Sequence, residues 1–167
     1  MRWLTGFSEY LRKRDILQVQ QDWTYSLFAS YQFLLHILLW WSLWGAHDAT
    51  AFNFMKYLYL LSGPILLFLG SSVLVPDVIN SKIDLRDRYY VSRKLYFTIL
   101  SLIWIWAIFI RPVLHGEWAA YTPVFVIFLV LSAILRFTDN VKIHFVGAVI
   151  NWLLVLVFVG FFSMRLD

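Results

Sequence analysis

The chain has 167 residues, of which 61% are hydrophobic and only 14% charged, with a formal net charge of +4. Soluble domains run at about 45–50% apolar and about 25% charged, and a globule of this length cannot bury such an excess of apolar surface. Composition therefore excludes an ordinary water-soluble domain and points to the bilayer as solvent. The absence of cysteine removes disulfides, thiolate catalysis and cysteine-ligated zinc or iron–sulfur centres.

The first 22 residues carry seven charges (Arg2, Glu9, Arg12, Lys13, Arg14, Asp15 and Asp22), and lack the continuous apolar core of a cleavable signal. Trp3, Leu4, Phe7, Tyr10, Leu11 and Leu17 recur at roughly helical spacing around Arg12–Lys13–Arg14. That pattern suits either an amphipathic helix lying on anionic lipid or an ordered tail. Residues 1–22 thus form an interfacial segment, and 23–167 the transmembrane part.

Five apolar runs follow, predicting spans at about 24–46, 57–75, 95–114, 118–135 and 145–164. Each is long enough to cross a hydrocarbon core of ~30 Å as a helix. Backbone groups in lipid must be satisfied within their own segment, and no run shows the alternation of a barrel strand. The expected fold is an all-α bundle of five transmembrane helices, with a possible N-terminal interfacial helix. An odd number of spans without an internal repeat argues against an inverted-repeat transporter.

Lys and Arg fix the expected orientation. With the N-terminus inside, inner segments hold Arg2, Arg12, Lys13, Arg14, Lys82, Arg86, Arg88, Arg93, Lys94, Arg136 and Lys142, eleven of the fourteen. Only Lys56, Arg111 and Arg165 fall outside, a positive-inside pattern that predicts N-in and C-out. The basic residues form short clusters between apolar runs, so membrane topology accounts for them better than nucleic acid does. The expected partners are the lipid bilayer itself and either further copies of this chain or a hetero-complex.

In the first span, Gln32, His36, Trp40 and Trp44 lie four residues apart and are expected to share one inward face. His36 falls near mid-bilayer, where an ionisable side chain is costly unless paired. It is a candidate ligand contact, proton-relay group or gate; the simpler reading is a neutral histidine bonded across helices to Gln32 or Asn151. Trp40, Trp41 and Trp44 form either an interfacial aromatic belt or the wall of a ligand pocket. Haem is not expected, because matching His36 in depth to His115 would need roughly 10 Å of adjustment. No cofactor and no metal site are predicted.

In the second span, Pro64 beside Gly63 suggests a kink. Between Pro76 and Lys94 comes the densest charge, and Asp84/Arg88, Arg86/Tyr90 and Tyr89/Arg93 are each spaced for one helix face. The third helix is therefore expected to begin in the cytoplasm and enter the membrane near Leu95. Arg86, Tyr89, Tyr90, Arg93 and Lys94 are candidate contacts for an anionic ligand, a headgroup or a partner. Asn151 in the fifth span and Ser26/Ser30 in the first are of the kind that cements helix contacts.

From about Tyr31 to Leu114 the chain resembles a family of small, uncharacterised bacterial inner-membrane proteins. The likeness rests on His36-Ile-Leu-Leu-Trp40-Trp41-Ser-Leu-Trp44, Pro64, Pro76-Asp77 and Asp84-Leu-Arg86-Asp-Arg-Tyr89-Tyr90-Val-Ser-Arg93. Longer members carry one further apolar helix before the basic segment, and Gly6 to Arg14 would correspond only to the end of it. The resemblance implies a bacterial inner-membrane location and supplies no activity.

HExxH, GxSxG, phosphate-cradling glycine loops and paired intramembrane carboxylates are all absent, and an enzyme would have only His36 as an acid–base group. The expected function is a binding or assembly module for a lipid, hydrophobic ligand or protein partner. The alternative is an oligomeric channel or transporter with His36 near its pathway.

Overall fold

Long apolar segments with no strand period close their backbone hydrogen bonds internally, and the described residues do so in five helices. The computed structural model describes residues 18–20, 22–44, 53–74 and 82–163. The helices are α1 (Trp23–Trp44), α2 (Phe54–Leu74), α3 (Leu85–His115), α4 (Thr122–Phe137) and α5 (Val141–Phe158), the last continued by a π-helical turn, Val159–Ser163. The fold is an all-α helical bundle. A three-residue parallel ladder lies outside it, pairing β1 (Gln18–Gln20) with β2 (Lys82–Asp84) in the register Gln18↔Lys82. The N-terminal helix expected up to Leu17 lies outside the described residues, and Gln18–Gln20 just after it are extended.

Local chemistry sets the boundaries. Asp22 accepts from Tyr25 N at 2.9 Å, Asn53 from Lys56 N at 2.9 Å and Asn140 from Lys142 N at 2.9 Å, each holding an otherwise orphaned first-turn amide. Pro123 stands in the first turn of α4, where a missing N–H costs nothing.

Cross-helix contacts establish an up-and-down order. Tyr25 at the start of α1 donates to Leu74 O at the end of α2 (3.0 Å). Lys56 at the start of α2 donates to Leu114 O near the end of α3 (3.0 Å). Arg93 near the start of α3 pairs with Asp139 just after α4, whereas Phe109 near α3's other end meets Trp118 just before α4, with ring centroids at 5.7 Å. Tyr121 before α4 packs on Phe158 at the end of α5 (5.7 Å). Neighbouring helices are therefore antiparallel, and α5 runs parallel to α3 and α1.

α3 is the organising helix, touching α1, α2 and α4, while α1 also contacts α2 and α5. Its buried residues include Tyr89, Tyr96, Phe97, Leu100, Ile103 and Trp104. Two close approaches depend on missing side chains. A Cβ on Gly63 would lie 2.4 Å from the Trp106 ring, and one on Gly147 would lie 2.6 Å from Leu135.

Four helices (α1, α2, α3 and α5) are long and apolar enough to cross a membrane. Only about a third of the α3 window (33%) is buried within the protein, so the outward surface of even the central helix is apolar. α4 has 16 residues, a rise of roughly 24 Å. It nevertheless covers the stretch of α3 between Phe109 and Arg93, since its two flanks meet those residues. α3 begins at Leu85, so ten residues of helix precede Leu95.

The bundle has two chemically distinct ends. Arg86, Arg88, Arg93, Lys94, Arg136 and Lys142 gather at the end where α3 and α5 begin. Among the described residues, Lys56 and Arg111 are the cations at the far end.

Candidate functional site

Two groups of polar side chains join helices within the bundle. The first joins α1, α2 and α3 at half height. Gln32 is fully buried. Its Nε2 donates to Leu67 O on α2 at 3.0 Å, and its Oε1 accepts from Tyr96 OH on α3 at 3.2 Å. One amide thus ties three helices, and it reaches α2 because residue 70 is glycine: a Cβ there would sit 3.1 Å from Gln32 Nε2.

His36 stands one turn along α1 and is half-buried. Nδ1 lies 2.8 Å from Gln32 O, and a carbonyl only accepts, so Nδ1 carries a proton and donates it. Nε2 lies 3.3 Å from Ser71 Oγ on α2. The Ser71 hydroxyl proton has two acceptors within reach, Leu67 O at 2.9 Å and His36 Nε2. A neutral ring receives that proton; an imidazolium would instead donate to Ser71 Oγ and leave the hydroxyl to Leu67 O. Either way, both ring nitrogens have a partner.

The second group closes the basic end. Tyr89 and His144 are fully buried. Tyr89 OH lies 2.7 Å from His144 Nδ1, and His144 Nε2 lies 2.9 Å from Thr138 O. The Thr138 carbonyl requires the proton on Nε2, so Nδ1 accepts from the tyrosine, and both nitrogens of a neutral ring are spent. Around this pair Phe28 stacks on Tyr89 (5.6 Å), Phe97 meets Phe28 edge-on (5.2 Å) and Tyr90 meets Tyr89 edge-on (5.1 Å). Arg93 covers the Tyr90 ring at 5.6 Å, donates to Tyr90 O and pairs with Asp139. The linker between α4 and α5 is thereby fastened to the start of α3.

The expected inward ridge of Gln32, His36, Trp40 and Trp44 is corrected. Trp40 is 70% exposed, so it faces outward, and the Trp44 side chain lies outside the described residues. A helix has 3.6 residues per turn, so positions four apart drift by about 40° per step and leave the buried face within two steps. Trp40 and Trp41 do not wall an internal pocket.

Asn151 also departs from expectation. It is buried, but its Nδ2 donates to Gly147 O of its own helix (2.9 Å). Besides the His144–Tyr89 bond to α3, a cross-helix bond from α5 comes from Trp152 Nε1 to Leu27 O at 3.0 Å.

The basic segment divides in two. Tyr89 is sealed inside and Arg93 is engaged with Asp139 and Tyr90, whereas Arg86 and Lys94 are exposed and Tyr90 is half-buried.

Sequence reasoning did not find Tyr96, Ser71 or His144 as partners. The hydroxyl at Tyr96 reads in sequence as one more aromatic, and Ser71 as one more small residue. Another pair it passed over is Tyr59 with Trp106, where Trp106 Nε1 donates to Tyr59 O (2.8 Å) and Tyr59 OH donates to Trp106 O (2.6 Å).

Among the described residues no group of three or more His, Asp or Glu converges as a metal site would require. No family model matches this chain, and no curated protein or solved structure is similar enough to it to stand as a relative.

Proposed function

We propose that this chain is an integral protein of a bacterial inner membrane that acts as a binding or assembly module for a lipid, a hydrophobic ligand or a protein partner. All five helices cross the bilayer. The basic end, with the N-terminus, lies inside and the C-terminus outside, as the gathering of Arg86, Arg88, Arg93, Lys94, Arg136 and Lys142 at one end supports. The likeness of His36–Trp44 and Asp84–Arg93 to small bacterial membrane proteins supports the location.

One observation carries the functional reading. Gln32 and Tyr96 bond each other and α2 across the packed centre of the bundle, as helix-fastening polar groups do. A conduction path needs polar groups turned toward an open axis, and here they are turned toward neighbouring helices. His36 is fastened to the same seam. What the bundle offers to others is its outer surface: the apolar face toward lipid and the exposed Arg86 and Lys94 at the basic end.

The test is native mass spectrometry of protein released gently from membranes, paired with ion flux in proteoliposomes. A retained lipid, hydrophobe or partner with flux at the background of empty vesicles is the expected result. A homo-oligomer whose flux is abolished by His36→Ala would overturn it in favour of a channel.

A further inference from the structure

We propose that the furrow between α2 and α3 is a site for one phospholipid of the outer leaflet, with an acyl chain in the furrow and an anionic headgroup at Lys56. The proposal rests on the binding-module reading and names its ligand and its place.

Leu102, Ile105, Trp106, Phe109 and Val113 lie at i, i+3, i+4, i+7 and i+11, a single stripe on α3. Facing them across the seam are Tyr59, Ser62 and Leu66 of α2, and the space between is about 390 Å³. Gly63 makes it possible, because the Trp106 ring lies where any side chain at 63 would stand and so leaves a hollow rather than a ridge.

The lining presents no donor to an occupant. Ser62 Oγ donates to Tyr59 O (2.6 Å), Tyr59 OH to Trp106 O and Trp106 Nε1 to Tyr59 O. With these protons spent inside the wall, what fits is apolar.

Size decides between a chain and a helix. A helix about 10 Å across occupies roughly 860 Å³ over two turns, so it would stand out of a hollow of about 390 Å³ rather than fill it. An alkyl chain is thin enough. The stripe from Leu102 to Val113 rises about 16 Å, close to one leaflet of a ~30 Å core.

The polar end of such a lipid meets Lys56. This residue is one turn before Tyr59, and its Nζ donates to Leu114 O, beside Val113 at the mouth of the furrow. An ammonium has three N–H groups and the carbonyl takes one, so the cation suits a phosphate at the membrane surface. In lipid there is no hydrophobic gain from burying an acyl chain, so selection comes from contact and from this charge.

The experiment uses the full chain in nanodiscs of phosphatidylglycerol and phosphatidylcholine at 1:3, read by native mass spectrometry. The wild type is expected to retain one phospholipid, with phosphatidylglycerol enriched at least threefold over the disc. Ile105→Trp, which fills the furrow from its exposed side, should lower the retained fraction at least fivefold. Leu102→Trp serves the same purpose should that variant not fold. Lys56→Gln should return the headgroup ratio to that of the disc while a lipid is still held. Val130→Trp on the exposed face of α4 should change nothing.

Equal retention by both furrow-filling variants, an unchanged ratio in Lys56→Gln, or a wild type that retains no lipid would each overturn the site. So would a wild-type dimer that Ile105→Trp dissociates, which would assign the furrow to a second copy. None of these outcomes touches the broader reading, which stands or falls on flux and on other retained partners.

Discussion

Gln32→Leu tests whether the central amide holds the bundle together. The substitution is close in volume, so the cost lies in the hydrogen bonds. Leu67 O loses the Nε2 donor but still has the Ser71 hydroxyl within reach at 2.9 Å, so that side costs little. Tyr96 OH is the group left stranded, because Tyr96 is fully buried and Gln32 Oε1 is the acceptor it uses. A buried polar group without a partner costs about 1–3 kcal/mol in soluble proteins, whereas interhelical bonds in membranes average ~0.6 and reach ~1.7 kcal/mol. A site sealed on all sides belongs toward the upper end, so Gln32→Leu is expected to destabilise by about 1–2 kcal/mol. Tyr96→Phe, which strands Gln32 Oε1, is expected to cost about 1 kcal/mol. The double variant removes donor and acceptor together and should be more stable than the sum of the singles by about 1 kcal/mol. The assay is equilibrium unfolding in mixed micelles with increasing dodecyl sulfate. Additivity within about 0.3 kcal/mol would refute the argument and reduce Gln32 to a space-filler.

Gly63→Ala and Gly147→Ala should each cost about 1–3 kcal/mol in the same assay, because the new Cβ meets Trp106 at 2.4 Å or Leu135 at 2.6 Å. Gly160→Ala, with nothing within 4 Å, is the matched control and should lie within about 0.5 kcal/mol of wild type. Tyr89→Phe removes the donor to His144 Nδ1 and should raise amide exchange at residues 138–144 while leaving α2 unchanged; equal protection would show that the aromatic packing alone holds the linker. Asp139→Asn breaks an ion pair whose carboxylate side is 75% exposed, so its effect should stay below about 1 kcal/mol. The chain has no cysteine, so Asp139→Cys and Glu117→Cys each give a single label site; an impermeant maleimide on intact cells should modify position 117 and spare 139, and the reverse pattern would invert the proposed orientation.

What could be read from the sequence was whatever depends on solvent. A bilayer requires long uninterrupted apolar helices, so the runs that became α1, α2, α3 and α5 stand out in the composition alone. The start of α3 was legible too, because Asp84/Arg88 and Tyr89/Arg93 spacing extends a helix into the charged segment, and Leu85 begins it. The polar seam was legible only in half. Gln32 and His36 attract notice as polar residues among apolar ones, but Ser71 and Tyr96 do not, since serine and tyrosine are ordinary in membrane helices. Periodicity also overreached. It placed Trp40 with Gln32 by counting in fours, and the 40° drift of each step carried the indole out to 70% exposure.

The failure at Trp40 and the success at Gln32 have one physical origin, which also bears on function. Within lipid, an apolar side chain is nearly as well solvated outside the bundle as inside, so hydrophobicity does not tell the buried face from the exposed one. Only groups that must find a hydrogen-bond partner, or that leave room for a neighbour, carry that information. Among the described residues such groups include Gln32, Tyr96 and His144 on one hand and Gly63, Gly70 and Gly147 on the other, and each of these sits at a helix–helix seam. Gly63 is the one whose neighbour, Trp106, also borders the outside. At that position the rule that builds the interior also shapes the surface: the same contact that fastens α2 to α3 sets the depth of the furrow. Gly63→Ala should therefore lower lipid retention and stability together, whereas Ile105→Trp should lower retention alone. A furrow-filling variant that lost both in proportion would show that the hollow is a by-product of packing with no occupant of its own.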